Sequence, residues 1–278
     1  SNYAWGSGIE VVEYAFDMNT GELNVEDLRS KLSEDASGVY VEVPNFLGII
    51  DSQTPSIREE IKDAALVVGV NPISLGVLRP PGDYGADIVV GEGQMLGSPM
   101  NFGGPLLGIF ATRQEHVRKM PGRVIGLTKD VEGERAFCMT LQTREQHIRR
   151  SKATSNICTN EALMAVAAAA YLALVGREGL RKIAEANVGN ARKLMNAIGE
   201  LDGFASPVFE GHHFNEFVMK PAIRPEKLNK HLLRKGIIGG LSLDKHVPRL
   251  KGHMLMATTE VHAEEDHNRL LRALAEVS

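Results

Sequence analysis

No lysine lies between Leu78 and Glu115. The gap matters because residues 85–111, GADIVVGEGQMLGSPMNFGGPLLGIFA, lay out an apolar run, a glycine-rich turn and a second apolar run after Gly-Gly-Pro. That is a strand, a cofactor-type loop and a strand, and many enzymes with this layout use a lysine there to hold an aldehyde cofactor. Other absences narrow the field. The two cysteines, Cys138 and Cys158, fall in no CxxC or zinc-like spacing and read as reduced thiols, which places the chain in the cytoplasm. Among the nine histidines only His212 and His213 are adjacent, and strand neighbours point to opposite faces, so no metal site is expected. No apolar run reaches the ~18 residues of a membrane span, the longest candidate lying around Leu163–Val175. A secretory signal pattern is missing, and so is an initiating Met; with Ser1-Asn2 as a cloning remnant, the chain reads as an excised fragment or a processed chain. A net charge of −4 gives no excess of one sign to attract nucleic acid or a membrane surface. There is no GxxxxGK[ST] and no GxSxG elbow, and Gly91-Glu-Gly93-Gln-Met-Leu-Gly97 misses the dinucleotide fingerprint by one residue.

What remains is an ordinary globular composition, 43% hydrophobic and 24% charged over 278 residues, enough for one large or two modest domains with a real core. The first third alternates element types. Ile9–Tyr14 and Gly38–Val43 read as strands, the second closed by Pro44. Asn24 is placed to cap a helix through Val25–Leu32, with Glu26 and Asp27 in its first turn. Pro55 and Ser56 open a helix to about Ala64. Leu66–Val70, Asp87–Val90 and Leu106–Ala111 follow as short strands, the first two β-branched and poor in charge as buried strands are. Such alternation predicts an α/β fold with a mostly parallel sheet under helices. Met120–Phe137 looks like an exposed connection or hairpin. Thr159 or Asn160 would cap a helix over Glu161–Gly176, with a second helix at Leu180–Leu201, weakly interrupted by Gly189. The remainder forms an αβ set, with strands at Phe214–Met219 and Met254–Thr258 and helices at Pro225–Lys235 and Ala263–Val277. The boundary falls near residue 160, giving a partial large domain at 1–160 and a helical connection with a small C-terminal domain at 161–278.

Between them lies a basic segment. Arg144, His147, Arg149, Arg150 and Lys152 crowd positions that hold a single acidic residue, Glu145, and Thr154, Ser155, Asn156 and Thr159 follow with hydroxyl and amide groups. Arginine forks suit carboxylates and phosphates, so the segment is a candidate anion-binding or interface loop, against the plainer reading of a solvated basic face.

The segments NFGGPLLGIFA (101–111) and TLQTREQHIRRSKATSNICTNEAL (140–163), supported by YVEVPNFLGIID (40–51) and GADIVVGEGQ (85–94), strongly resemble the P-protein of the glycine cleavage system, in particular subunit 1 of its two-subunit form. The resemblance covers essentially the whole chain; the N-terminal part of the subunit has no counterpart here. It implies the pyridoxal-phosphate-dependent transferase fold of type I, like aspartate aminotransferase, with a partial large domain and a small C-terminal α/β domain. It also implies a role in decarboxylating glycine and passing the aminomethyl group to the lipoyl arm of H-protein, with catalytic subunit 2 as partner in a heterotetramer.

That chemistry requires a lysine for the cofactor aldehyde and a carboxylate to keep the ring nitrogen protonated. In the family's catalytic subunit the lysine lies eight positions after a GAD strand start, and eight from Asp87 here is Met95. The aspartate belongs to a VDGAN pattern, matched here by Val67-Val68-Gly69-Val70-Asn71, which puts Val68 at its place. The resemblance therefore implies a retained scaffold without its electronic machinery: a non-catalytic subunit, inactive alone, with pyridoxal phosphate on the partner and the 144–156 loop as its interface or anion-binding surface. Two alternatives stand beside it. One is an autonomous pyridoxal-phosphate enzyme, a transaminase or desulfurase using Lys129 or Lys152; the other is a non-catalytic regulatory binding module.

Overall fold

A computed structural model of the chain describes residues 2–141, 146–153 and 161–277. After a short helix α1 (Asn2–Gly6) and a stretch without regular secondary structure comes α2 (Val25–Lys31), where the Asn24 side chain accepts the Asp27 N–H, as the capping signal predicted. Strand β1 (Gly38–Val43), helix α3 (Ile57–Glu60) and strands β2 (Ala65–Val70), β3 (Ile88–Glu92) and β4 (Gly108–Thr112) complete the first layer. Its sheet runs β1-β2-β3-β4, parallel except for β4. Val39, Val41, Leu66, Val68 and Val70 turn one sheet face to Leu28 of α2, Ile57 of α3 and Ile61 just after it, which is why these strands read as aliphatic.

Beyond it, β5 (Val124–Lys129) and β6 (Arg135–Thr140) form a hairpin, resolving the segment left open as connection or hairpin. Asp130 fastens its turn by accepting the N–H groups of Glu132 and Glu134. The turn helix α4 (Gln146–Arg149) precedes α5 (Ala162–Gly199). A second, antiparallel sheet has the order β7-β8-β10-β9, built from β7 (Phe204–Ala205), β8 (Glu216–Pro221), β9 (Leu241–Ser242) and β10 (Met254–Ala257). Helices α6 (Pro225–Arg234) and α7 (Glu264–Ala275) cover it. Phe217, Met219, Met254 and Met256 meet Leu194 and Ile198 of α5, Leu228 and Leu232 of α6 and Leu274 of α7 in its core.

Two local expectations are corrected and a third holds. Ile9–Tyr14 joins no ladder among the described residues, because strand propensity alone does not supply the second backbone that pairing needs. The helix expected to reach Ala64 ends at Glu60, where Lys62 turns to φ 48°. The two helices expected after residue 160 are both present and together make up α5, meeting at Gly176 (φ 59°, ψ −175°), where the first was expected to end; Gly189, read as a weak interruption of the second, stays helical. By length and composition α5 is a helix apolar enough to cross a membrane, although no single run of the sequence suggested one.

The two sheets meet through β8. Its Val218 points away from the small core and packs with Leu47, Ile49, Phe209 and Leu255. Leu47 and Ile49 sit in the loop that leaves β1, and Ile49 forms a bridge with His213. Gly48 makes this approach possible: its φ is +84°, and a Cβ there would lie 2.0 Å from the Glu216 carbonyl oxygen. Gly48→Ala should destabilise the chain by about 3 kcal/mol or more, combining left-handed strain with a backbone collision. Urea melts of the variant, at unchanged m-value, check this; a loss under about 1 kcal/mol would show that the loop relaxes freely.

Candidate functional site

The strand ends that would face a cofactor are those of β2 and β3. Beyond β2, Asn71 accepts the Ile73 N–H on its side chain and the Ser74 hydroxyl on its carbonyl, closing a tight turn. Beyond β3, Glu92 Oε1 accepts both the Gln94 and the Leu107 N–H at 2.8 Å, and Gly93 N–H donates to Leu107 O at 2.7 Å. One carboxylate thus ties the two ends of the glycine-rich loop together. Gly97 (φ +92°) lets the loop lie against Tyr171 of α5, where a Cβ would come within 2.8 Å of the tyrosine Cβ. Glu161 extends the brace by accepting the Gly108 N–H.

Met95 sits in this loop at 39% exposure, an amine-free side chain facing outward. Val68 is fully buried, in register between Val41 and Val89 and packed among aliphatics. A pyridoxal cofactor placed here would find no amine for its aldehyde and no carboxylate for its ring nitrogen. The residues at the two positions do not fit the group.

At the start of β3, Asp87 is a hub that sequence reading missed. It meets Arg58 Nη1 at 2.8 Å and Arg113 Nε at 3.5 Å, and accepts the Leu66 N–H at 2.8 Å. An acidic residue opening an apolar strand (ADIVV) was the available signal. Asp87, Glu115 and His116 bring ligand-type atoms within 4.8 Å of one another, but two guanidinium groups already compensate Asp87 and oppose a cation there. Asp51 is buried just past the loop that leaves β1, where it accepts the Leu23, Gln53 and Thr54 N–H groups; burial outweighs those bonds and raises its pKa. His213 lies in the same region, and burial lowers its pKa to about 4.

Of the predicted loop residues, His147 and Arg149 lie on α4 and Arg150 and Lys152 on the 3-10 turn that follows, all exposed. Arg144, Thr154, Ser155 and Asn156 lie outside the described residues, as do the capping candidates Thr159 and Asn160. Lys129 ends β5 at the exposed tip of the hairpin, and Lys152 sits on an open turn, so neither occupies the end of a buried strand.

With this geometry in place, comparison with known proteins gives a consistent result. The family model described as glycine cleavage system P-protein matches residues 2–274. A probable glycine dehydrogenase (decarboxylating) subunit 1 from Pyrococcus furiosus is 47% identical over 99% of this chain and 61% of its own length. Its counterpart from Thermococcus onnurineus is 48% identical over 99% and 62%. The chain therefore spans about three-fifths of the relatives it matches. Among solved structures, a glycine decarboxylase (P-protein) of the glycine cleavage system in inhibitor-bound form superposes with TM-score 0.89 at 41% identity, covering 100% of this chain and 62% of that one. A sphingosine-1-phosphate lyase from Burkholderia pseudomallei, at 18% identity and TM-score 0.67 over 99% of this chain and 60% of that one, shares the fold alone. The architecture is the type I fold of pyridoxal-phosphate-dependent transferases, as the resemblance implied.

His213 supplies a pH test. Its folded pKa lies below the unfolded value near 6.5, so its neutral form favours the fold above that value, and stability is lost as pH falls from about 6.5 towards 4. Between pH 7 and pH 5 this amounts to about 2 kcal/mol. His213→Gln should lose correspondingly less than the parent over that interval in denaturant melts. Equal losses in both proteins would remove His213 as the cause.

Proposed function

The chain belongs to the glycine cleavage system P-protein family, and from that premise we propose that it is the non-catalytic subunit of a glycine decarboxylase. The observation that carries this reading is the pairing of Val68 and Met95, two residues unable to engage the cofactor, with a loop that Glu92 and Gly97 still hold in shape. Two independent chemical requirements fail together while the scaffold survives, a pattern that suits a partner of an active subunit better than an enzyme acting alone. In this reading pyridoxal phosphate sits on a lysine-bearing subunit 2. The assembled complex decarboxylates glycine and passes the aminomethyl group to the lipoyl arm of H-protein, with the cofactor ring serving as electron sink. The names of the relatives, subunit 1 of a decarboxylating glycine dehydrogenase, support the subunit role. The exposed thiol of Cys138 suits a reducing, cytoplasmic setting.

The test mixes this chain, carried at the relatives' full length, with a lysine-bearing subunit 2 and follows glycine–bicarbonate exchange. Activity is expected only in the mixture, and borohydride treatment with pyridoxal phosphate should leave no specific lysine adduct on this chain. An adduct here, or turnover by this chain alone, would overturn the reading.

The basic loop is assigned the partner-facing role. Arg149 and Arg150 are exposed, so replacing both with alanine should change stability by only about 0.5 kcal/mol each. Losing charge-assisted hydrogen bonds to a partner or anion should cost pairing or turnover about 1.5–3 kcal/mol apiece. Wild-type affinity and exchange rate in the double variant would reduce the loop to a solvated face.

A further inference from the structure

The hairpin of β5 and β6 carries its apolar side chains on the side it shows to water. Its register sets Ile125 opposite Met139, Leu127 opposite Phe137 and Lys129 opposite Arg135, and alternation places these six on one face. All six are exposed, Ile125 at 55%, Leu127 at 68%, Phe137 at 66% and Met139 at 45%. On the opposite face Val124, Gly126, Ala136 and Thr140 are partly covered. A two-stranded sheet is marginally stable by itself in water, and its apolar face is the one expected to turn inward. Here the small and polar face has that place. A contiguous exposed patch of this kind marks a surface that another molecule covers.

Charge narrows the kind of molecule. Lys129 and Arg135 are like charges directly opposite each other, a destabilising cross-strand pair. Arg135 lies over the Phe137 ring at 5.9 Å, and neither cation forms an ion pair among the described residues. The acids of the turn do not serve this face. Asp130 accepts the Glu132 and Glu134 N–H groups, and its own N–H donates to Glu134 O at 3.0 Å, so the alternation continues and both residues fall on the opposite face. At the base, Arg123 is exposed two residues before Ile125. Cations thus bracket the apolar patch at both ends. A second copy applied by the same face would set cations against cations in either strand direction. The patch instead fits a surface whose apolar centre is flanked by carboxylates.

We propose that the outer face of this hairpin docks onto the lysine-bearing subunit 2, against an apolar patch with carboxylates at its margins; the proposal rests on the subunit role argued above. The layout of the chain points to that occupant. β6 ends at Thr140, and α4 and the basic turn after it follow within about a dozen residues, so the hairpin adjoins in sequence the segment already assigned to the partner. One partner spanning both covers the apolar patch and neutralises both sets of cations. A net charge of −4 gives the chain no general attraction to an anionic bilayer, the other surface that apolar and basic groups together would suit. The partner's carboxylates also relieve the repulsion between Lys129 and Arg135, so docking firms the hairpin.

Lys129→Glu separates docking from folding, because its two effects have opposite signs. Opposite Arg135 the new carboxylate makes a favourable cross-strand pair, so the melting temperature of the chain alone should hold or rise. Against the partner's carboxylates it should weaken pairing about tenfold. Calorimetric titration of subunit 2 into this chain, carried at the relatives' full length, reads the affinity at low and high salt. The parent's Kd should rise with salt and the variant's should rise less. Leu127→Ser with Phe137→Ser should weaken pairing about 100-fold while leaving the melting temperature of the chain alone nearly unchanged, since both side chains are exposed before docking. Undiminished pairing in both variants, with the parent pairing normally, would overturn this proposal and leave the subunit role standing. No pairing by the parent would overturn both. A chain that melts several degrees lower with the two serines would show that its own polypeptide covers the face, against the proposal. Binding of the parent to anionic lipid vesicles, lost in the same variants, would make a membrane the occupant and overturn it as well.

Discussion

The close passage of the β1 exit loop over β8 is the constraint on which the arrangement of the two sheets rests. Gly48 brings its backbone so near Glu216 that no side chain fits between them, and Leu47 and Ile49 fill the space beside Val218 and Phe209. Because β8 alternates, Phe217 and Met219 build the small core while Val218 joins the two layers. Asp51 and His213 lie at the same junction, and the burial that shifts both their pKa values follows from that packing. Helix α5 provides a second tie: Ala168 and Ala184 pack with Ile73 and Leu96 of the first layer, and Leu194 and Ile198 belong to the core of the second.

The loop after β3 keeps its form through contacts that involve no cofactor-holding side chain. Its shape depends on Glu92 bridging Gln94 and Leu107, on Gly97 meeting Tyr171, and on Glu161 holding Gly108. None of these contacts uses the residue at 95. At 68 the aliphatic side chain adds to the packing of β1, β2 and β3, whereas a carboxylate buried there without a partner would cost several kcal/mol. Scaffold and chemistry are thus carried by different residues, and the second set can change without the first.

Composition and pattern were enough to determine the element types. Aliphatic runs bounded by glycine and proline marked β1, β2 and β3, Asn24 marked the start of α2, and the 140–163 motif identified the family. These signals are local, or are carried by contiguous residues, so they survive without three-dimensional information. Only the tertiary structure decided what depends on a neighbour distant in sequence. Residues 9–14 have strand propensity yet stay unladdered, because pairing requires a second backbone beside them. Gly189 permits an interruption yet stays helical within the second half of α5. Asp87 finds Arg58 and Arg113, and Gly48 finds Glu216, through contacts between segments far apart in the chain. The sequence by itself determined which chemistry residues 68 and 95 lack, since no arrangement gives Met95 an amine or Val68 a charge; the packing decided where each lies, one exposed in a braced loop and the other sealed in the core.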